Sequence, residues 1–320
     1  RDMYQPMDTR IGLSRNGYAY SGEGDRRSLL GDFTINLNRS FARHSINAVA
    51  GFSHQEWLSR NLAIATWGFA SDNLTHYSPQ SGNSAGTPQG RYSEWGLNSF
   101  LGRVAYSFDS KYLLTLTGRA DGSTRLAEGY KWAFFPSIGM GWNLHNESFL
   151  SGNSLLSLFK IRGSWGASGN QSVGVGASQS TFAYKRYSFG QDIALGYYLN
   201  GLGNPTLGWE TTTQINIGFE TGFINNRFTF NFDAYRKETS DLLFDRQLPD
   251  FTGYSNLTVN GGTIENKGLE FQLGAVVKEG VFKWDVSANL SINRNKVLDL
   301  GGLDQLLGPA FNANLVSSNV

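Results

Sequence analysis

The chain has 320 residues, among them 39 Gly, 8 Trp, 14 Tyr and 22 Phe, no Cys, and 27 basic residues against 26 acidic ones. Charged residues make up 17%, well below the roughly 25% of ordinary domains, and with so many aromatics this excludes intrinsic disorder. The balanced charge removes the basic stripe a nucleic-acid binder needs, and the lack of Cys removes disulfide scaffolds, Cys-based zinc sites and thiol nucleophiles.

The opening residues Arg1-Asp2-Met3-Tyr4 carry neither an initiator Met nor a signal pattern, so the chain reads as starting inside a longer protein. No run of 18 apolar residues occurs, which excludes a helical membrane span and leaves a strand-built one open.

In chain order, a period of two predicts eleven strands, near 10–20, 28–38, 45–57, 95–108, 111–121, 134–143, 160–169, 209–221, 227–239, 262–277 and 281–293. In the second, Phe33, Ile35 and Leu37 oppose Asp32, Thr34, Asn36 and Asn38. Ile215, Ile217 and Phe219 oppose Gln214, Asn216, Gly218 and Glu220; Phe228, Phe230, Phe232 and Ala234 oppose Thr229, Asn231, Asp233 and Tyr235. The last strand alternates throughout: Phe282, Trp284, Val286, Ala288, Leu290 and Ile292 against Lys283, Asp285, Ser287, Asn289, Ser291 and Asn293. A helix would scramble such patterns. Many of these strands exceed the usual five or six residues and match the nine to eleven of a tilted membrane-crossing strand.

Connections alternate in length. Tight turns sit near Arg39–His44 and at Asp109-Ser110, Asn225-Asn226 and Lys278-Glu279-Gly280. Long polar segments fall at 58–94, 122–133, 170–208, 240–261 and from 294 onward, with a medium connection at 144–159 that has room for a helical turn. This sorts short turns to one end and long loops to the other, as in outer-membrane barrels. Tyr106, Phe108, Tyr112, Trp142, Phe223, Phe228, Phe282 and Trp284 gather near the tight turns, as an interfacial girdle would. No amphipathic helix is long enough to cover so large a sheet, so its apolar face meets either a second sheet or lipid. A membrane sheet must close, and an odd eleven strands read as a piece of a larger barrel.

Enzyme motifs are missing. His44, His54, His76 and His145 show no His-Glu-x-x-His spacing, and no Gly-x-Ser-x-Gly elbow occurs. Gly201–Gly208 lacks the Lys-Ser/Thr end of a phosphate loop and reads as a Gly-Pro turn. No cofactor or metal site is expected.

Two residue sets are candidates for function. Arg103, Arg119, Arg162, Glu220 and Asp233 lie on the polar strand faces, either as a charged lumen that binds a plug or steers solute, or as mutual salt bridges. The aromatics Trp67, Tyr77, Tyr92, Tyr184, Tyr187, Tyr197 and Tyr198 fall in the long segments. They suit stacking on sugar rings or packing on a peptide, and equally suit holding the loops together. Loops on a rigid scaffold are where binding usually lives.

Residues 110–300 carry a series of phrases: Lys111-Tyr112-Leu113-Leu114; Arg119-Ala120-Asp121-Gly122-Ser123-Thr124-Arg125; Trp132, Phe135-Pro136-Ser137 and Gly141-Trp142; Lys160-Ile161-Arg162-Gly163-Ser164-Trp165-Gly166 with Gly169-Asn170-Gln171; Asn204-Pro205 with Leu207-Gly208-Trp209-Glu210-Thr211-Thr212; Thr239-Ser240-Asp241-Leu242-Leu243; and Asn266-Lys267-Gly268-Leu269-Glu270. In this order and spacing the chain resembles the barrel of SusC/RagA-type TonB-dependent outer-membrane transporters of Gram-negative Bacteroidetes. Gly208 stands where that family often has Lys, and Trp165 where it often has Tyr.

The resemblance implies an all-β fold, with residues 1–320 as about half of a 22-stranded antiparallel transmembrane barrel. The plug, the TonB-contacting segment and the C-terminal strands would lie outside this chain. It further implies import of a bulky nutrient, oligosaccharide or oligopeptide, driven through TonB, with a SusD-like lipoprotein over the long loops and no covalent chemistry. A passive porin-like channel and a soluble all-β binding module are the alternatives.

Overall fold

A computed structural model describes residues 1–302 apart from 151, 191 and 279, together with short strands at 305–306 and 316–317. In chain order the elements are β1 Asp2–Gln5, α1 Arg10–Arg15, β2 Tyr18–Phe41, β3 His44–Trp67, β4 Ser84–Ala85, β5 Gln89–Phe108, β6 Tyr112–Ser123, β7 Trp132–Asn143 and β8 Leu156–Asn170. Then follow β9 Thr181–Phe189, β10 Asp192–Gly201, β11 Glu210–Phe223, β12 Phe228–Ser240, β13 Leu243–Gln247, β14 Asn256–Asn260, β15 Thr263–Lys278, β16 Trp284–Asp299, β17 Gln305–Leu306 and β18 Val316–Ser317.

One sheet runs in the order β1-β2-β3-β5-β6-β7-β8-β11-β12-β15-β16, with β4 beside β3; β9/β10, β13/β14 and β17/β18 pair by themselves. Apart from β4 and the separate hairpins, successive strands are neighbours in the sheet, an up-and-down antiparallel meander. The sheet is open, with β1 and β16 at its edges and no described strand joining them.

The chain divides into two compact units, Arg1–Gly31 with His54–Gly96, and Asp32–Ser53 with Leu97–Val320. In the first, the expected strand at 10–20 is replaced by α1, and β2 begins only at Tyr18. The Thr9 side chain caps α1 by accepting from the Gly12 N–H, and Asn16 ends it in the left-handed region. Arg15 then lies over the rings of Tyr18 and Trp67, 4.9 and 5.6 Å from their centroids. Local capping outcompetes the alternation of Ile11 and Leu13, which are both exposed. In the same unit Asp72 accepts from the Tyr4 hydroxyl at 2.7 Å and from the Met7 N–H. Burial and the neighbouring Asp72 push the Tyr4 phenol up to about 12.

In the larger unit the register aligns the two faces in rows. Ile161, Phe219, Phe232, Phe271 and Leu290 face one another across β8, β11, β12, β15 and β16. One residue along, the row reads Lys160, Glu220, Asn231, Gln272 and Asn289. Side chains alternate faces along a strand, so these rows belong to an apolar and a polar face. The apolar face is uncovered: Phe134, Met140, Ile217, Leu273 and Leu290 are all exposed.

The tight turns fall where expected. Asp109 and Ser110 both have positive φ, as do Ile224, Asn225 and Asn226, the backbone that a two- or three-residue reversal between right-twisted strands demands. The turn near Arg39–His44 is made at Ala42-Arg43, and the medium connection holds a 3-10 turn at Leu144–Asn146. Glu279 lies outside the described residues.

Glu147 binds the tight-turn end together. It accepts from the Tyr112 hydroxyl at 2.7 Å and the Trp142 Nε1–H at 3.0 Å, and pairs with Lys111 at 3.0 Å. The Tyr112 hydrogen bond, then those of Lys111 and Trp142, hold its carboxyl below the usual range. Arg43 pairs with Asp109 across the neighbouring turns. Of the expected aromatics, Phe108, Tyr112 and Trp142 stand here in successive ring contact, continued by His44 and Phe41, at 5.0 to 6.4 Å. At the far end of β7, Trp132 stacks on Phe100, which meets Phe52.

The segments expected as long loops carry structure. β3 and β5 extend into 58–94, β9 and β10 form a hairpin within 170–208, and β13 and β14 form another within 240–261. β16 continues to Asp299, past the expected end at 293.

Candidate functional site: the polar face and the loops beyond it

Four of the five charged residues expected on the polar face are paired within the wall. Arg162 on β8 contacts Asp233 on β12 at 2.6 Å and Glu220 on β11 at 3.0 Å, and Lys160 stands 3.9 Å from Glu220. β11 lies between β8 and β12, so Arg162 must reach over it. The residue beneath is Gly218, opposite both Arg162 and Asp233. A Cβ there would meet the Asp233 carboxylate at 2.5 Å, so the missing side chain is what opens the crossing. Arg119 forms its own pair, donating Nε–H to both Asp121 oxygens at 2.8 and 2.9 Å and Nη2–H to Ser99. Arg103, opposite Thr117 on β6, has no carboxylate within 4 Å among the described residues. Arg119, Arg162, Glu220 and Asp233 are thus all engaged in ion pairs. Beside Arg162, residues Asn231, Asp233, Glu270, Gln272, Asn289 and Ser291 line a polar concavity of about 510 Å³. It offers amide, hydroxyl and carboxylate groups.

The expected loop aromatics separate. Trp67 is the last residue of β3 and Tyr92 lies within β5, because both strands run beyond the apolar alternation that marks them in sequence. Tyr92 is engaged at home, against Arg60 at 5.5 Å and donating its hydroxyl to Glu94. Tyr77 is exposed at the end of a 3-10 turn, in ring contact with His76. Tyr184, Tyr187, Tyr197 and Tyr198 stand on the β9/β10 hairpin, on two different faces. Tyr184 is directly opposite Tyr197, on a face shared with Phe182, Ile193, Leu195 and Leu199. Phe182, Ile193 and Tyr197 are each more than 70% exposed there. Tyr187 and Tyr198 are on the reverse, Tyr198 under Lys185 at 5.1 Å.

A third assembly was not anticipated as a site. Leu126, Ala127, Val173 and Leu207 form a buried cluster, with Trp209 and Leu243 against it. Around it the Ala127 N–H donates to the Leu207 carbonyl at 2.9 Å, and Trp209 Nε1–H to that of Lys131 at 2.9 Å. Asn260 exchanges two hydrogen bonds with the Gly208 backbone, at 2.7 and 3.0 Å. Asn204 donates to the Thr258 carbonyl, and Glu210 accepts from Asn170 and the Leu243 N–H. Segments 122–133, 170–208 and 240–261 are thus stapled together. The sequence signal was the Leu207-Gly208-Trp209-Glu210 phrase itself. Its work is to organise loops.

Among the described residues no group of three His, Asp or Glu is placed to hold a metal ion.

Residues 3–318 match the family model described as the TonB dependent receptor-like β-barrel. The chain belongs to that family. It is of the SusC/RagA type, and its place is the outer membrane. It is 31% identical over 304 residues to TonB-dependent receptor P3 of Formosa agariphila, covering 95% of this chain and 30% of that protein. It is 37% identical over 220 residues to TonB-dependent receptor SusC of Bacteroides thetaiotaomicron, covering 65% of this chain and 21% of that one. A solved structure of the RagAB peptide transporter superposes with a TM-score of 0.84 at 28% identity, over 92% of this chain and 33% of the other. The chain thus spans about a third or less of the length of the TonB-dependent receptors it matches. The relatives are receptors and transporters, and nothing in the family assignment calls for an enzyme.

Proposed function

We propose that this chain is part of the barrel wall of an outer-membrane TonB-dependent importer of a bulky nutrient, oligosaccharide or oligopeptide. The observation that carries the reading is the open meander with one exposed apolar face and one polar face, in a chain that follows the RagAB transporter backbone. The apolar face meets lipid. Its outward residues on β7 run from Trp142 to Trp132, ten residues or about 33 Å along the strand. At a tilt of about 40° that is a height of about 25 Å, the thickness of the apolar band in outer-membrane barrels, with a Trp at each edge. The polar face lines a hydrated lumen. Closure at 22 strands would take about as many strands again from the rest of the protein, which also supplies the plug and the TonB contact.

The stapled segments and the β9/β10 hairpin form the extracellular side. A lone two-stranded hairpin is marginal in water. The exposed Phe182, Tyr184, Ile193 and Tyr197 face therefore suits a SusD-like surface lipoprotein, and Tyr187 and Tyr198 on the reverse suit substrate. Trp67, Tyr77 and Tyr92 are the weaker part of the substrate set, since Trp67 and Tyr92 are already engaged by arginines. The test is uptake of labelled oligosaccharides and oligopeptides by cells carrying the full-length protein, with and without a protonophore. Import that stops when the gradient collapses is expected. Undiminished uptake would replace this reading with a passive channel.

A further inference from the structure

The apolar face changes character abruptly on three adjacent strands. Ala234, Leu269 and Ile292 stand opposite one another on β12, β15 and β16. The next outward row is Arg236, Lys267 and Arg294, and the one after it Glu238, Glu265 and Lys296. Strands are spaced about 4.8 Å apart, so three cations sit side by side. Like charges directly opposite destabilise a sheet, and such a row calls for anions.

The protein supplies some of them. Glu265 contacts Arg236 at 2.6 Å and Lys267 at 3.3 Å, and Arg236 also reaches Glu238 at 3.2 Å. The Glu265 side chain is only 9% exposed, whereas Arg236 and Lys267 remain 58% exposed. Arg294 and Lys296 are exposed and have no carboxylate within 4 Å among the described residues. Among the described residues two carboxylates stand between four cations, a surplus of two positive charges. The patch is local: at the same height the outward residues of β11 and β8 are Ile215 and Trp165.

Its height identifies what it meets. Trp284 begins β16 at the tight-turn end, and Arg294 lies ten residues on. That is again about 33 Å along the strand and about 25 Å along the membrane normal, one full apolar band. The row therefore stands toward the far edge of the band, facing lipid, where long cationic side chains reach the headgroup plane of the leaflet on the long-loop side. Phosphate oxygens in that plane match a guanidinium fork and ammonium groups presented together.

We propose that Arg236, Lys267, Arg294 and Lys296 form a binding site for the phosphate groups of an outer-leaflet anionic lipid. The inference rests on the lipid-facing assignment above, and its test separates the two. The full-length protein is reconstituted in phosphatidylcholine nanodiscs doped with bisphosphorylated lipid A or with its phosphate-free analogue, re-extracted in detergent, and the retained lipid counted by mass spectrometry. Wild-type protein is expected to keep the phosphorylated lipid selectively. The R294Q/K296Q double variant should retain about tenfold less, the loss of two charge-assisted contacts. Millimolar inorganic phosphate should not displace the lipid.

Equal retention of both lipids by the wild type would overturn the site, as would unchanged retention by the variant or displacement by free phosphate. Heat-modifiable migration reports assembly in parallel. A barrel that assembles yet shows no lipid preference sinks only the phosphate site, whereas failure of the wild type to enter the membrane sinks the lipid-facing assignment. Should the double variant fail to assemble, the comparison of the two lipids on wild-type protein and the single K296Q variant still decide.

Discussion

Phe232→Arg against Asn231→Arg is the sharpest test of which face meets lipid. Phe232 points to the apolar side, between Phe219 at 5.5 Å and Phe271 at 5.1 Å. Phe228 begins β12 at the tight-turn edge, so Phe232 stands four residues in, about 13 Å along the strand and about 10 Å in height, close to mid-bilayer. An arginine at that depth costs about 2–4 kcal/mol. Two lost ring contacts add roughly 0.5–1.5 kcal/mol each. The insertion term alone shifts the folding equilibrium roughly 30- to 700-fold. Asn231, one residue away, faces Glu220 and Gln272 on the polar side, where water and two neighbouring polar groups receive a guanidinium. In refolding of the full-length protein into liposomes, followed by heat-modifiable migration, Phe232→Arg should assemble poorly and Asn231→Arg like wild type. Equal assembly, or the reverse order, would refute the face assignment.

Four further outcomes follow from the same geometry. Gly218→Leu places a side chain against the Asp233 carboxylate and the Phe232 carbonyl, so it should sever the Arg162–Asp233 crossing at an overpacking cost of about 1–3 kcal/mol; an unchanged unfolding midpoint in urea would count against that crossing. Leu207→Ala empties the centre of the loop cluster, a cavity cost of about 2–5 kcal/mol, and should raise hydrogen exchange around Ala127 and Val173 without altering barrel migration. Glu147 has a depressed pKa, so its contribution to stability is present above the usual carboxylate value of 4.5 and is lost as the pH falls below it; urea titrations across that range should show the loss in wild type and a flatter profile in Glu147→Gln. Serine at Phe182, Tyr184 and Tyr197 should abolish co-purification of a surface lipoprotein while leaving the barrel assembled, and retained co-purification would remove the hairpin from the interface.

The sheet was legible because each strand has one face with a single solvent, and a single solvent imposes a period of two. Phe228 through Ala234 and Trp284 through Ile292 announce both face and register. Legibility stopped where that constraint stops. Beyond the apolar band the period of two is lost: β5 starts with the polar run 89–94, and β3 ends with apolar residues on both faces, Leu62 and Ile64 against Ala63, Ala65 and Trp67, so sequence ended these strands early and left Trp67 and Tyr92 in a loop. At Arg10–Arg15 the caps Thr9 and Asn16 decide, and they act through local hydrogen bonds that alternation does not register. The β9/β10 hairpin was signalled by Phe182 and Tyr184 opposite Leu199 and Tyr197, yet the polar residues between them read as loop. For the polar face, parity placed Arg162, Glu220 and Asp233 on one side. That Arg162 spans a whole strand to reach Asp233 depends on Gly218, a residue noticed only as a member of the polar face.

The wall's charges argue for where recognition lies. Arg162, Glu220 and Asp233 are committed to one another and Arg119 to Asp121, so in the proposed lumen a passing solute would meet a surface already neutralised rather than free charge. A wall of that kind suits rigidity and a polar path, and assigns selectivity to the loop assembly. Arg103 is the exception, an exposed guanidinium on the same face without a carboxylate partner among the described residues. If selectivity resides in the loops, Arg103→Gln should change import of neutral and anionic substrates alike, and by less than twofold, while disruption of the loop cluster by Leu207→Ala should weaken substrate capture by the assembled protein several-fold. Import competition between a neutral and an acidic oligomer of equal length measures both. A selective loss of the acidic oligomer in Arg103→Gln would move recognition from the loops into the wall.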